Sequence, residues 1–198
     1  MSKLWFRYGA MNCGKSTRLM QDAHNYEERG MKVSVIKPSK DKKAGDMLES
    51  RIGLKRKVDY LVTPEDDMIS YLASIYKNGV ACILVDEAQF LTKKQIDTLY
   101  VFAKQYDIPI MCYGLRVDFL GELFPGSERL FAIADELVEL QTICSCGHQA
   151  RFNARLNKNG EYVTKGSQVA IDGIDATYES MCGDCFLKKV LKKKLILD

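Results

Sequence analysis

GAMNCGKS, residues Gly9 to Ser16, fits the phosphate-binding loop pattern G-x-x-x-x-G-K-[ST] and decides the fold class, because that loop operates between a strand and a helix. Gly9 and Gly14 let backbone N–H groups turn inward on a phosphate, Lys15 reaches the β- and γ-phosphates, and Ser16 offers a hydroxyl to Mg²⁺. Lys3 to Tyr8 supplies the incoming strand. Lys15 to Leu19 opens the outgoing helix, whose unpaired N–H groups and positive dipole end face the loop.

Working outward, Leu19, Met20, Ala23 and Tyr26 recur at helical spacing and Gly30 closes the helix. Lys32 to Lys37, KVSVIK, returns as a parallel strand through a right-handed crossover. Thr63-Pro64-Glu65-Asp66 has the form of an N-cap, Pro at the first helical position and acids in the first turn, which predicts a helix to about Lys77. Val80 to Val85, VACILV, is a strand buried on both faces and ends in Asp86-Glu87. At a strand end beside a phosphate loop, such acids hold Mg²⁺ and orient or deprotonate a nucleophile. Thr92-x-x-Gln95 is a capping box for a helix to about Tyr106. Ile108 to Tyr113 is another buried strand, and Glu136 to Leu140 the last of the sheet. The fold expected is α/β: a P-loop NTPase (RecA-like) parallel sheet flanked by helices, plus a small zinc-stapled β-ribbon domain carried by the cysteine pairs Cys144/Cys146 and Cys182/Cys185.

Two stretches leave alternatives open. Lys37 to Val58 carries eight Lys/Arg against three Asp/Glu without an apolar period. It reads as a solvated loop for most of its lysines, or as a basic lid (about 38–57) over a polyphosphate. In the loop GLRVDFLGELFPGS after the strand at Tyr113, Phe119 and Phe124 are placed to stack on a base or to pack in the core.

A chain of 198 residues with 46% hydrophobic and 28% charged content is enough for one α/β domain and a small appendage, and too short for two motor domains. Without an apolar run of about 18 residues or a signal-peptide pattern, the expectation is a cytoplasmic protein with no membrane partner. A net charge of +3 is too small to point to nucleic acid. Seven cysteines in such a chain argue for thiols or metal. Cys144, Cys146, Cys182 and Cys185 have the C-x-C and C-x-x-C spacing of a structural zinc site with four thiolates and no open position. His148 lies near enough to compete as a ligand but reads first as a surface residue, and Cys13, Cys82 and Cys112 as small buried hydrophobes. Asn159-Gly160 marks a hairpin turn between the cysteine pairs, and the lysines of FLKKVLKKKLILD a solvated helix face.

With these pieces in place the chain resembles the cytosolic-type (type II) thymidine kinases, bacterial branch. The resemblance is carried by GAMNCGKST, SRIG at Ser50 to Gly53, VDEAQFL at Val85 to Leu91, YGLRVDFLGELF at Tyr113 to Phe124, and YESMCGDC at Tyr178 to Cys185. It implies transfer of the γ-phosphoryl group of ATP to the 5′-hydroxyl of thymidine or deoxyuridine with Mg²⁺, structural zinc, a homotetramer and feedback by dTTP. It also implies a kinase domain over residues 1–141 and a zinc-ribbon and lasso domain over 142–198. By position, Glu87 becomes the base, with Lys15 and Arg51 beside the reacting phosphate, and Ser16 and Asp86 hold Mg²⁺. ATP lies along Gly9, Ala10, Met11, Asn12, Cys13, Gly14, Lys15 and Ser16, and along Asp86, Glu87, Ala88 and Gln89. Met11, Leu115 and Phe119 enclose the thymine, with Phe90 and Phe124 completing the wall. Val169, Ala170, Ile171, Asp172, Gly173 and Ile174 match the lasso that reads the base edge, and Tyr178 contacts the nucleoside. Asp172 departs from the Gly-Gly of many relatives, and Glu49 stands where eukaryotic-type members have Asp. The other reading that these motifs allow is a zinc-containing P-loop ATPase acting on nucleic acid.

Overall fold

The structure is a computed structural model that describes residues 1–39, 45–168 and 177–192. In chain order the strands are β1 (Leu4–Gly9), β2 (Lys32–Pro38), β3 (Met47–Glu49), β4 (Lys55–Lys57), β5 (Tyr60–Val62), β6 (Val80–Val85), β7 (Ile110–Leu115), β8 (Glu136–Glu139), β9 (Thr142–Ile143), β10 (Gln149–Ala150), β11 (Phe152–Leu156) and β12 (Thr177–Met181). The helices are α1 (Lys15–Glu27), α2 (Ile69–Lys77), α3 (Lys93–Tyr106), α4 (Pro125–Ile133) and the short α5 (Gly183–Phe186). Six strands form one parallel sheet in the order β5-β2-β6-β7-β1-β8. All six therefore end at the same edge, where ligands bind in such sheets.

The continuous apolar run of β6 is explained by its two faces. Cys82 and Leu84 pack with Leu19 and Ala23 of α1, whereas Ile83 and Val85 pack with Leu72 of α2 and Ile96, Leu99 and Phe102 of α3. Alternation along a strand sends successive side chains to opposite layers, and helices cover both. The α3 capping box forms as expected, with Gln95 N–H donating to Thr92 Oγ1 and Thr92 N–H to Gln95 Oε1.

Two expectations are corrected. No helix opens at Thr63. The Asp66 carboxylate accepts from Thr63 N–H, Gln95 Nε2 donates to the carbonyls of Thr63 and Asp66, and Met68 takes a left-handed φ of 65° before α2 starts at Ile69. Asp66 thus serves the turn, and backbone groups that a helix would have used go to α3. The basic stretch after β2 is also not structureless: β3 and β4 pair antiparallel, and Leu48 and Val58 are buried against the α1 face of the sheet. Arg56 pins the hairpin to α1 through a bidentate pair with Glu27 at 2.7 and 2.9 Å. Lys40 to Ala44 of the expected lid lie outside the described residues.

Behind the sheet, β11 and β12 pair antiparallel, and Cys144, Ala150, Ala154, Met181, Cys182, Phe186 and Val190 form a separate small core. The Asn159-Gly160 turn closes as read, with Gly160 N–H donating to Asn157 O at 3.0 Å, although the main partner of β11 is β12. The tail runs from α5 into one π-type turn, Leu187–Leu191, which buries Val190. No helix among the described residues is long and apolar enough to cross a membrane.

Candidate active site

The phosphate loop is shaped by close approach and by two left-handed residues. A Cβ on Gly9 would stand 2.5 Å from Leu140 O and 2.6 Å from Cys13 Sγ, so only glycine fits at the end of β1. Asn12 (φ 66°) and Gly14 (φ 78°) then turn the chain into α1. The amides of Cys13, Gly14, Lys15 and Ser16 have no partner among the described residues, which is the donor set an anion at a helix N-terminus requires. Lys15 is buried, with Nζ donating to Ala10 O at 2.8 Å across the loop. The Met11 amide faces elsewhere: it donates to Asn153 Oδ1 of β11 at 2.7 Å, and Met11 O accepts from Ser180 Oγ of β12 at 2.6 Å.

Asp86 and Glu87 leave the end of β6, separated by β7 from the strand that feeds this loop, and the Lys15 charge acts on Asp86. Asp86 is buried, and burial, followed by the charge of Glu87, pushes its carboxyl up to about 8, opposed by the Glu87 N–H bond and the charges of Lys37 and Lys15. Lys37, only 1% exposed at the end of β2, is a cation of the site that the sequence reading treats as a strand end and the first residue of the basic stretch. Glu87 adopts φ 48° and ψ 38°, a conformation uncommon for a residue with a Cβ and frequent at functional sites. Its carboxylate is held by Gln89 Nε2 at 2.5 Å, while Gln89 Oε1 accepts from Leu115 N–H at 3.0 Å. Gln89 is fully buried, so its side chain joins the acid to the end of β7. Two glycines permit this: a Cβ on Gly114 would meet Gln89 Oε1 at 2.8 Å, and one on Gly126 of α4 would run into the carbonyls of Ala88, Gln89 and Leu91.

A folded pKa for Asp86 above its unfolded value of about 3.9 means that its stabilising contribution is complete below that value and is lost as pH rises toward 8. Without added magnesium, Asp86→Asn is therefore expected to melt at a higher temperature than the wild type at pH 9, with the gap narrowing at pH 6. Equal gaps at both pH values would refute the burial effect.

The remaining expected residues surround the same edge. Leu115 lies opposite Gly9 across β1 and β7, which brings the base-side loop next to the phosphate loop. Phe90 and Phe124 meet edge to face at 5.5 Å. Phe119 is 1% exposed, and one face is covered by the Arg155 guanidinium at 3.6 Å, itself fixed to Ser167 O at 3.2 Å. Tyr178 lies opposite Arg155 in the β11–β12 register. Arg155 and Asn153 have no motif around them; only their alternation on one strand hinted at a shared face. Arg51 is exposed in the β3–β4 turn and makes no hydrogen bond or ion pair with Asp86 or Glu87. Val169 to Ile174 lie outside the described residues.

The sulfurs of Cys144, Cys146, Cys182 and Cys185 all lie within 4.8 Å of one another. Tetrahedral zinc with Zn–S bonds of about 2.3 Å needs sulfurs about 3.8 Å apart, so the cluster fits. Burial would raise the Cys144 thiol, but hydrogen bonds from the Cys146 and Cys182 amides and neighbouring thiols lower it, while hydrogen bonds with the other thiols raise Cys185, so the four sulfurs share their protons unevenly. His148 Nδ1 lies 3.4 Å from Cys146 Sγ, beside the ligand set. Cys82 and Cys112 are buried, and burial raises both thiols, as expected of inert hydrophobes, whereas Cys13 is only half-buried, with its sulfur 3.6 Å from Lys15 Nζ in the phosphate loop.

Comparison with known proteins agrees with this geometry. The sequence profile described as "Thymidine kinase" matches residues 2–186. A protein named thymidine kinase from Shewanella oneidensis is 46% identical over 184 residues, covering 92% of this chain and 95% of the relative. One of that name from Ruegeria pomeroyi is 46% identical, covering 92% of each chain, and one from Jannaschia sp. is 43% identical over 192 residues, covering 96% and 97%.

Proposed function

Since this chain belongs to the thymidine kinase family, we propose that the edge of its sheet brings ATP and thymidine together with Glu87 as the base. The activity is that of a kinase that moves the γ-phosphoryl group of ATP to the 5′-hydroxyl of thymidine, and of deoxyuridine in the same pocket. The observation that carries the division of roles is the Glu87 carboxylate, aimed by Gln89 and set next to Asp86, on which the Lys15 charge of the phosphate loop acts.

The free amides of Cys13 to Ser16 and the Lys15 ammonium bind the β- and γ-phosphates. Ser16 and Asp86 are the residues to hold Mg²⁺, which when bound neutralises charge on those phosphates. Ala10, Met11, Asn12, Ala88 and Gln89 shape the ATP side. Glu87 accepts the 5′-hydroxyl proton as the oxygen attacks phosphorus, and Lys37 adds positive charge beneath Asp86. Arg51 reaches the transferring group if the β3–β4 turn swings over the site. Met11, Phe90, Leu115, Phe119 and Phe124 form the apolar wall for the base with Tyr178 beside it, and the reading of the base edge is assigned to residues 169–174 on the sequence resemblance alone. Backbone groups that bond a base away from water reject one that leaves them unpaired.

The proposal extends to a 1–141 kinase domain and a 142–198 zinc-ribbon domain, a cytoplasmic setting, feedback by dTTP and a homotetramer. Ile52, Ile69, Val101 and Ile143, each more than half exposed, offer apolar surface for subunit association. The acceptor assignment is tested with 5′-deoxythymidine, which should compete with thymidine yet receive no phosphate, whereas 3′-deoxythymidine should be phosphorylated. Phosphate transfer to 5′-deoxythymidine would move the acceptor elsewhere on the sugar.

A further inference from the structure

The phosphate loop is held from outside the sheet. Asn153, 2% exposed on β11, accepts the Met11 amide with Oδ1 at 2.7 Å and donates through Nδ2 to Val117 O, in the base-side loop, at 3.2 Å. Ser180, 8% exposed on β12, donates to the carbonyl of the same Met11 at 2.6 Å. Both flanks of one residue in the loop are thus bonded to two adjacent strands of the small lobe. Asn153 and Ser180 are themselves register partners across the β11–β12 ribbon. Ser180 lies two residues before Cys182, and Met181 between them is fully buried in the small core. Strand β12 therefore links the cysteine cluster to the phosphate loop with no flexible connection between.

We propose that Asn153 and Ser180 are positioning residues through which the zinc-stapled ribbon sets the shape of the phosphate loop, so that affinity for a nucleoside triphosphate depends on the small lobe. Neither side chain touches the phosphates in this account. Its basis is conformational: a Met11 peptide fixed at both its N–H and its neighbouring carbonyl leaves the amides of Cys13 to Ser16 already turned inward. An unlatched loop must be ordered when the anion binds, and that cost appears as lost affinity. The inference rests on the assignment of ATP to this loop made above.

The test is ATP affinity of the full, zinc-loaded chain by titration calorimetry, alongside adenosine affinity, metal content and steady-state constants. Ser180→Ala and Asn153→Ala are expected to weaken ATP about tenfold while changing adenosine affinity less than twofold, because only phosphate binding uses the loop amides. Ser180→Thr, which restores the hydroxyl, should return ATP affinity to within about threefold of the wild type. A zinc-retaining Ser180→Ala protein with ATP affinity within twofold of the wild type overturns the proposal, as does equal loss for ATP and adenosine. Hydrogen exchange of the wild-type loop needs no variant: the Met11 amide should be protected before any nucleotide is added, and rapid exchange there also overturns it. A wild type that binds ATP but makes no thymidine monophosphate would sink the kinase assignment while leaving the Met11 protection to report on the latch.

Discussion

Replacing Glu87 with Gln is expected to lower turnover on the order of a hundredfold or more, with ATP affinity unchanged within about twofold. The substitution is nearly isosteric, and its remaining carbonyl oxygen can still accept from Gln89 Nε2, so the left-handed turn at residue 87 and the bond from Gln89 to Leu115 should survive. What disappears is basicity. A base that acts only as the proton leaves contributes to kcat and not to ground-state binding, so KM for ATP should stay put while kcat falls. Steady-state kinetics with thymidine and ATP, beside a direct ATP titration, checks this. Turnover within threefold of the wild type would remove Glu87 from the role.

Cys182→Ser is expected to cut zinc from about one per chain to near none and to lower the melting temperature by about 10 °C, read by metal analysis and a thermal scan. Cys182 combines several roles: its sulfur lies 3.5 Å from that of Cys146, it accepts the Cys185 amide, and it is buried in the small core. Structural zinc is worth up to about 10–16 kcal/mol to an isolated finger. A smaller loss is expected here because Phe152 and Phe186 stack at 4.7 Å and the ribbon is bonded to the sheet domain through Asn153 and Ser180. A metal-free chain with unchanged melting would show that the four thiols hold no structural ion.

Local signals were legible and long-range ones were not. Gly9 to Ser16, the apolar run of β6 and the Thr92 capping box each state their structure within about eight residues, and each forms where the sequence places it. Thr63 to Asp66 misled because its helix signals are also turn signals. Which one prevails depends on Gln95, some 30 residues away, taking the carbonyls. The β3–β4 hairpin was hidden because its lysines point outward on so short a ladder that only Leu48 and Val58 report the core. In the site, Asp86, Glu87 and the four zinc-type cysteines stand out by residue type and spacing. Lys37, Asn153 and Arg155 act by contact across the fold, where a linear reading gives a buried amide or cation no distinguishing mark, and Gln89, placed on the ATP side by the resemblance, carries no linear sign of its bonds to Glu87 and Leu115.

The central claim is that the phosphate loop and the Glu87 carboxylate serve a pyrimidine nucleoside placed between the sheet and the ribbon. Incubation with ATP, Mg²⁺ and an equimolar panel of thymidine, deoxyuridine, deoxycytidine, deoxyadenosine and deoxyguanosine tests it most directly, with each monophosphate separated and counted. Thymidine monophosphate should dominate, deoxyuridine monophosphate should follow, and ADP should match their sum. A dominant purine monophosphate would contradict the pocket, and ADP released on single-stranded DNA with no nucleoside monophosphate would contradict the kinase itself.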